Sequence, residues 1–382
     1  MTTSGPCNAP DVVDVVALGE SMVTFLPSRP GRLADVPSFD RGIGGAESNV
    51  ACVLAAAGHT VKWVSRVGAD GFGDHLVETV GGYGVDVSAV RRDPARPTGV
   101  YFRTAEDRET DAHEVAYYRA GSAASAMAPG NMDLTAARAG RVLHLSGITA
   151  ALSDDCLALL WELTAPRPDR PLVSFDVNFR AGLWRDTDGP RVLLDLARRA
   201  DIVFVGADEA TDAWGLHSTR ALVAALPEPD LLVVKQGGGG AVAFGDGVDE
   251  GLSEGIGEGF GNGVDEGFSE GVDEGFGKDT DGTATHVRAP HVDIVAAVGA
   301  GDAFAAGFLS GTLRDLPVRD RLRHGHLWAA AALTAPGDLA SPPARDHADR
   351  LVALDDDAWG RLRLGPGWTQ AAQRAEREIR TP

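Results

Sequence analysis

The chain has 382 residues, of which 44% are hydrophobic, and it carries a formal net charge of −20. This length suffices for one large α/β domain with appendages or for two modest domains. No apolar run has membrane-spanning length, the first ten residues lack the features of a signal peptide, and the acidic balance argues against nucleic-acid binding. Three cysteines are odd in number and lack metal-ligand spacing, which favours core or tail positions in a reducing cytoplasm.

Short apolar strand patterns alternate with amphipathic helical patterns over most of the chain. The predicted strands are rich in β-branched residues and cover Val12–Leu18, Val61–Val67, Arg141–Leu145, Leu172–Val177, Ile202–Val205 and Leu231–Lys235. Predicted helices between them include Ser48–Ala57, Asp154–Leu163 and Pro190–Arg199. This alternation predicts an α/β fold with a doubly wound, mainly parallel sheet that has helices on both faces.

Two β-like runs interrupt this rhythm. Thr98–Thr104 and His113–Arg119 are joined by a short charged segment. We expect them to form a hairpin outside the main sheet, as part of a small β lid.

An acidic, glycine-rich segment follows the sixth predicted strand. Residues 246–282 contain twelve acidic residues and one lysine, so they hold −11 of the net charge, and the motif GVDEG occurs there three times. Such a composition cannot bury enough apolar surface to offset its ordering entropy, which predicts a disordered insertion. Calcium binding by these acids is an alternative that their irregular spacing disfavours. The polar tail beyond Ser341 is expected to pack on the surface or to fray.

The strongest chemical signal is the sequence VGAGDAF at Val298–Phe304, followed by a helix of small residues at Ala305–Leu313. A glycine-rich turn that opens a helix directs unpaired backbone N–H groups and the positive end of the helix dipole at one point. Asp302 stands at that point and could take a proton from an attacking hydroxyl group, as phosphoryl transfer requires. The structural alternative is a plain helix start with Asp302 as its N-cap.

A second glycine-rich segment, GIGGAESNVA at Gly42–Ala51, also opens a predicted helix. Its glycines allow close approach to a ligand, and the amide of Asn49 can hydrogen-bond a polyol. The segment matches neither the dinucleotide fingerprint nor the P-loop. The alternative is a helix start at which Ser48 or Asn49 satisfies end groups.

Together these segments resemble the two signature regions of the ribokinase-like (PfkB) carbohydrate kinase family, over roughly residues 13 to 340 apart from the acidic segment. The resemblance implies a ribokinase-like kinase domain over 11–345, with a lid formed by about 20–40 and 98–119. The acidic insertion then covers 246–282, and a C-terminal extension covers 346–382.

Within the family, the chain is similar to 2-keto-3-deoxygluconate kinases in its segments GAESN, YYRAGSA, LHLSGI and DVNFR. The resemblance implies that Asp302 is the catalytic base and that Gly299, Ala300 and Gly301 form the anion hole. It implies a substrate pocket lined by Gly45, Ala46, Glu47, Ser48, Asn49, Tyr101, Tyr117, Tyr118, Arg119, Arg180 and Asp338. It also implies that ATP contacts Asn178, Lys235, Gly237 and Gly240, and that Glu209 orients Mg²⁺ through water.

Two arginines are candidates for binding a carboxylate group of the substrate. Arg119 and Arg180 follow strand patterns, where ligands bind in open α/β sheets, and an arginine fork suits a carboxylate. Taken singly, each arginine is more typical of a surface ion pair. We therefore expect phosphorylation of the terminal hydroxyl of a sugar acid, 2-keto-3-deoxygluconate, to its 6-phosphate.

Two alternatives stay open: a kinase of fructose or another ketose, and a catalytically weak sugar-binding relative. We further expect a cytoplasmic homo-oligomer with a small-molecule substrate and no nucleic-acid or membrane partner.

The chain departs from the family pattern at three places. Ala296 stands where relatives usually carry an aspartate that helps to hold a monovalent cation. Gly206 replaces the asparagine of the family's Asn-x-x-Glu motif, although Glu209 is retained, and the strand ending at Lys235 continues into a loose run of glycines.

Overall fold

The computed structural model describes residues 12–29, 31–104, 114–184, 188–245 and 284–370. The strands are β1 (Val13–Leu18), β2 (Met22–Pro27), β3 (Phe39–Gly44), β4 (Val61–Val64), β5 (Arg66–Gly68), β6 (Arg91–Asp93), β7 (Val100–Arg103), β8 (Val115–Tyr118), β9 (Gly140–Ser146), β10 (Leu172–Asp176), β11 (Ile202–Gly206), β12 (Leu231–Lys235), β13 (Ala241–Gly245), β14 (Ala284–Val287), β15 (His291–Val292) and β16 (Arg363–Leu364). The helices are α1 (Ala46–Ala56), α2 (Gly71–Gly82), α3 (Leu134–Ala137), α4 (Gly147–Ala150), α5 (Asp154–Leu163), α6 (Gly189–Ala197), α7 (Ala207–Trp214), α8 (Thr219–Ala225), α9 (Ala300–Leu313), α10 (Val318–Leu333), α11 (Arg345–Val352) and α12 (Asp356–Gly360).

The main sheet has eight strands in the order β14-β13-β12-β11-β10-β9-β1-β4. From β4 to β12 every neighbouring pair is parallel, whereas β13 and β14 add an antiparallel edge. The chain passes from β1 to β4 on one side and returns to β9 on the other. The carboxyl ends of β1 and β9 therefore flank a topological switch point, where open α/β sheets bind ligands.

Apolar residues cover both faces of the sheet, as the predicted doubly wound architecture requires. One buried cluster joins the sheet to α1, α2, α9 and α10, and a second joins it to α5, α6, α7 and α8. All six predicted parallel strands are present, but the second of them, which forms the edge strand β4, is shorter than expected. The predicted strand Val61–Val67 ends at Val64, because the chain turns at Ser65 and starts β5 in a separate two-stranded sheet with β6.

A second sheet of four strands, β3-β2-β7-β8, forms the lid. The predicted hairpin is confirmed, since β7 and β8 pair antiparallel with Tyr101 opposite Tyr117. The other half of the lid extends further than expected, because β3 continues to Gly44 and leads directly into α1.

The C-terminal segment packs against the α/β core as far as residue 370. Trp359 and Trp368 are buried in the same apolar cluster as α9 and α10, and β16 pairs with β15. The predicted acidic insertion lies outside the described residues. Within the described ranges, no helix combines the length and apolar character needed to cross a membrane.

Candidate active site

Helix α9 begins at a turn whose first residue must be glycine. Gly299 is the N-cap residue and adopts a left-handed conformation with φ of 73°. A Cβ atom there would lie 2.2 Å from the backbone oxygen of Asp338. No described side chain caps α9, so the N–H groups of Ala300 and Gly301 remain for a ligand, reinforced by the helix dipole. The turn is therefore suited to bind phosphate charge.

Asp302 lies in the first turn of α9, beside these N–H groups. Its Oδ2 accepts a 2.8 Å hydrogen bond from Nδ2 of Asn49. Burial raises the pKa of Asp302 to about 7; the Asn49 hydrogen bond opposes this rise, and the nearby carboxylate of Asp176 adds to it. A carboxyl group with a pKa near neutrality is suited to general-base catalysis.

Asn49 is held in place by the tight start of α1. Gly45 is the N-cap, and a Cβ atom on it would lie 2.3 Å from the backbone oxygen of Glu20. A Cβ atom on Gly44 would lie 2.2 Å from the hydroxyl of Tyr101. The two glycines thus allow the lid strand β7 and the segment after β1 to pack closely against the start of α1. Asn49, in the first turn of α1, reaches from there to Asp302.

Lys235 and Asp176 lie at the carboxyl ends of β12 and β10, and Glu209 lies in the first turn of α7, which follows β11 between them. Nζ of Lys235 lies 3.1 and 3.0 Å from the two carboxylate oxygens of Asp176. Burial would lower the pKa of Lys235, but the carboxylates of Asp176 and Glu209 outweigh it and raise that pKa. The backbone N–H of Gly206 donates to Oε2 of Glu209 at 3.0 Å, and burial raises the pKa of Glu209.

Asp338 connects the lid to the anion-binding turn. Its carboxylate accepts hydrogen bonds from the hydroxyl of Tyr101 at 2.6 Å and from Arg103 at 3.0 Å. Tyr101 and Arg103 share one face of β7 because strand side chains alternate, and the ring of Tyr117 lies 5.5 Å from that of Tyr101. The inner face of the lid thus closes over the start of α9.

Comparison with known proteins identifies the family. The model of the pfkB family carbohydrate kinases matches residues 13–254 and 268–345. The chain belongs to this family. It is an ATP-dependent carbohydrate kinase, which uses an alcohol group as phosphoryl acceptor.

Three similar proteins illustrate the range of relatives. The 2-dehydro-3-deoxygluconokinase of Bacillus subtilis is 33% identical over 340 residues, which cover 87% of this chain and 94% of the relative. The probable chloroplastic fructokinase-6 of Arabidopsis thaliana is 27% identical, with coverage of 87% and 80%. The crystal structure of the PfkB protein from Polaromonas sp. JS666 aligns with a TM-score of 0.70 and 29% identity, covering 88% of this chain and 99% of that structure.

Three residues predicted to line the substrate pocket, Ala46, Glu47 and Ser48, are buried in the structure. Ser48 is fully buried and donates to Ser21 at 2.9 Å. Glu47 lies buried at the switch point, where its Oε1 accepts hydrogen bonds from Ser146 and Thr149, both at 2.7 Å. Burial raises the pKa of Glu47. Ala46 is the buried first residue of α1.

Tyr118 is largely exposed on the lid. Its ring packs against Phe102 at 5.9 Å, on the face opposite to Tyr101 and Tyr117. Adjacent residues of a strand point to opposite faces, so Tyr117 and Tyr118 do not share a face of the lid, and only Tyr117 lies beside Tyr101.

The predicted pair of substrate-binding arginines is divided by the fold. Arg119 has a side chain only 10% exposed and forms an ion pair with the buried carboxylate of Glu20, which also accepts from Ser122 at 2.7 Å. Arg180 is 54% exposed and lies 3.3 Å from Glu209. The positive charge of Arg119 is therefore balanced by Glu20 within the protein, whereas Arg180 is the more exposed of the two arginines.

The residues predicted to contact nucleotide lie at or after the ends of β12 and β10, the two strands that flank β11. Gly237 and Gly240 have φ of 55° and 113° and form the turn between β12 and β13, directly after Lys235. Asn178 follows β10 in a left-handed conformation with φ of 41°, and its buried Oδ1 has no hydrogen-bond partner among the described residues. Such strain and an unused polar atom are typical of ligand sites.

Sequence reasoning missed three residues of the site: Asp176, Glu20 and Arg103. Asp176 is the last residue of β10, and Glu20 follows shortly after β1. An acidic residue at the carboxyl end of a buried parallel strand is a signal that could have revealed both. Arg103 lies two residues beyond Tyr101 on β7, so period-two alternation places them together.

Proposed function

We propose that this kinase transfers the γ-phosphoryl group of ATP to the terminal hydroxyl of 2-keto-3-deoxygluconate, giving the 6-phosphate. The observation that carries the chemistry is Asp302, oriented by Asn49 at the uncapped start of α9. The similarity to the Bacillus subtilis 2-dehydro-3-deoxygluconokinase, which acts on the same compound under its other name, supports the substrate.

The proposed step needs few groups. Asp302 accepts the proton of the sugar hydroxyl as its oxygen attacks the γ-phosphorus, and the bond to the leaving ADP oxygen breaks in line. The N–H groups at the start of α9 stabilise the charge on the phosphoryl oxygens. The lid bearing Tyr101 and Tyr117 restricts access of water, which would otherwise compete as acceptor.

Magnesium fits the site as an ion carried mainly by the nucleotide. One carboxylate oxygen of Glu209 accepts a hydrogen bond from the N–H of Gly206, and the other accepts one from Arg180. The described part of the chain contains no cluster of three metal-ligating side chains. Mg²⁺ keeps most of its waters and binds phosphates with one or two carboxylates, so Glu209 would hold it through water. When bound, the ion would neutralise charge on the transferred phosphoryl group.

Arg180 is the residue we assign to the substrate carboxylate. More than half of its side chain is exposed, and among the described residues its contact with a carboxylate is a single 3.3 Å approach to Glu209. A guanidinium group with such a weak internal partner can form a bidentate pair with an incoming carboxylate.

A ketose kinase is the second candidate. The ion pair between Arg119 and Glu20 neutralises one of the two expected cations, and fructokinases are among the relatives. Both observations are compatible with a neutral sugar in the pocket.

Substitution of Arg180 separates the two candidates. Arg180→Ala should raise KM for 2-keto-3-deoxygluconate by about tenfold or more, because a charged hydrogen bond is lost, while KM for ATP changes little. Arg191→Ala is the matched control, since Arg191 is an exposed arginine paired with Asp188 on α6, and it should have no effect. Equal sugar-acid kinetics in both variants would refute the assignment of Arg180.

A further inference from the structure

A pocket of about 300 Å³ lies at the carboxyl-terminal ends of α1 and α9. Its other walls come from α10, from the start of α11 and from the segment that leads into α11. Helices rise 1.5 Å per residue, so Ser310 in the pocket wall lies about 12 Å along α9 from Asp302. By the same rule, Ala56 lies about 10 Å along α1 from Asn49. The pocket is therefore separate from the active site.

One wall of this pocket is positively charged. Arg345 is the exposed first residue of α11 and forms no ion pair with a described carboxylate. No described side chain caps α11, so its first N–H groups and the positive end of its dipole add to this charge. Arg314 also lines the pocket, although Asp349 accepts two 2.8 Å hydrogen bonds from it. An unpaired arginine at a helix start is suited to an acid group of a ligand.

A buried histidine in the same wall has unused bonding capacity. The side chain of His324 is 2% exposed, and its Nε2 lies 3.3 Å from Arg314 and 3.2 Å from Asp349. Nδ1 has no hydrogen-bond partner among the described residues. Burial lowers the pKa of His324 to about 4, and the charge of Arg314 adds to this fall. The ring is thus neutral at neutral pH, and a buried nitrogen without a partner is typical of a ligand site.

The size and the lining of the pocket indicate a class of ligand. A volume of about 300 Å³ equals that of roughly ten water molecules, which suits a chain of about three or four carbons with one acid group. The carbonyl of Ala56, in the last turn of α1, has no partner within the helix and can accept from a hydroxyl group. Trp328 and Pro343 supply apolar surface for the carbon chain.

We propose that this pocket is a regulatory site for a short hydroxylated organic anion, whose phosphate or carboxylate group binds at Arg345 and the start of α11. The hydroxyl groups of the ligand face the end of α1. This inference goes beyond the proposed function and does not depend on which sugar the kinase phosphorylates.

The elements that form the pocket also carry the catalytic residues. α1 holds Asn49 in its first turn, α9 holds Asp302 in its first turn, and the two helices pack against each other. The chain that reaches Arg345 starts at Asp338, which binds Tyr101 of the lid. The pocket and the hydrogen bond between Asn49 and Asp302 are present in the same structure. A ligand that binds this arrangement favours it, so the ligand should activate the kinase.

Calorimetry on the protein with β,γ-imido-ATP at its phosphate-binding turn tests the binding. Glycerol 3-phosphate and glycerate are the phosphate and carboxylate probes, and glycerol and inorganic phosphate represent the chain and the anion alone. We expect saturable binding of at least one acid probe, and Arg345→Ala should weaken it by about tenfold or more, because a charged hydrogen bond is lost. Arg350→Ala is the matched control, since Arg350 lies on the same helix but outside the pocket wall.

Three results of this experiment would overturn the proposal. They are no saturable binding of either acid probe, equal affinity in wild type and Arg345→Ala, or binding of inorganic phosphate as tight as that of glycerol 3-phosphate. Arg345 is exposed and unpaired among the described residues, so we expect its substitution to leave the thermal midpoint unchanged.

Kinase kinetics at a saturating concentration of the bound probe test the regulatory role. We expect kcat/KM to rise by about fivefold or more, the usual lower range of coupling between two sites. Ala56→Leu places a larger side chain in the pocket wall and should remove this response while basal kcat stays unchanged. Unaltered kcat/KM with the probe bound, or a full response in Ala56→Leu, would refute the regulatory role. Absence of wild-type activity toward any sugar would refute the proposed function instead, while the dependence of probe binding on Arg345 would still test the pocket.

Discussion

Asn49 and Asp302 are 253 residues apart in sequence, yet the amide of one donates a 2.8 Å hydrogen bond to the carboxylate of the other. The contact uses Nδ2 of Asn49 and leaves its buried Oδ1 without a partner in the described structure. An unused buried acceptor next to a base is suited to a substrate hydroxyl. One side chain therefore orients the base and offers a contact to its substrate.

Removal of the base should abolish most activity and leave the fold intact. Asp302→Asn keeps the shape of the side chain, so we expect nucleotide binding to be preserved and kcat to fall by about 10²–10⁴-fold. Turnover and calorimetric ATP-analogue binding, measured on the same preparation, check this. Near-normal turnover in the folded variant would exclude Asp302 as the base.

The raised pKa of Asp302 predicts the pH dependence of catalysis. A base must be deprotonated to act, so kcat/KM should rise with pH and level off above about 7. The Asn49 hydrogen bond lowers this pKa, so Asn49→Ala should move the inflection to higher pH. An inflection near 4 in wild type would contradict this prediction.

The same pKa predicts a stability effect with a defined sign. Between about 4 and 7, the folded protein holds a proton on Asp302 that the unfolded chain, with an ordinary value of 3.8, releases. The contribution of this group to stability is therefore present at low pH and is lost as pH rises through 7. Asp302→Asn should raise the thermal midpoint at pH 8, and the gain should disappear toward pH 4. A midpoint difference independent of pH would oppose this.

The buried ion pair between Arg119 and Glu20 should contribute to the stability of the folded protein. Arg119→Leu leaves the buried Glu20 carboxylate without its cation, which costs about 3–5 kcal/mol of unfolding free energy for a buried pair. The combination Arg119→Leu with Glu20→Gln should recover most of this loss. Arg32→Ala, which breaks the exposed pair with Asp35, is the control and should change stability little. Denaturant unfolding measures all three, and an unaffected Arg119→Leu variant would contradict the prediction.

The flanks of the acidic segment form a hairpin that could close without it. β13 and β14 pair antiparallel with Phe244 opposite Ala284, so their ends meet at one place. Replacing residues 246–283 with Asn-Gly leaves a three-residue loop that includes Gly245, a common hairpin loop length, and should therefore preserve kcat and the thermal midpoint. A folded deletion variant that has lost activity would show that the segment contributes to the site.

The parallel core could be predicted because each strand carries its own local signal. Val13–Leu18 and Leu231–Lys235 are short β-branched runs whose burial follows from composition alone. The starts of α1 and α9 were predictable for the same reason, since glycine-rich turns mark them locally. The edge hairpin of β13 and β14 was missed, because the acidic segment separates its two strands.

The partners of the charged residues could not be predicted. Arg119 looked available for a substrate carboxylate, and only the folded lid brings Glu20 to it. Lys235 similarly meets Asp176 only because β10 and β12 both flank β11. Pairing between distant residues depends on sheet order, which periodicity does not encode.

The most direct test of the sugar-acid assignment is a comparison of kcat/KM for 2-keto-3-deoxygluconate, fructose and ribose, with ATP as donor and ADP release as readout. Polar groups that recognise a specific substituent can reject analogues lacking it by up to about 10⁴-fold. Arg180 is half exposed, so we predict a smaller preference for the sugar acid, of about 10²-fold or more. Equal or better turnover of fructose would contradict the sugar-acid assignment and leave a ketose kinase in its place.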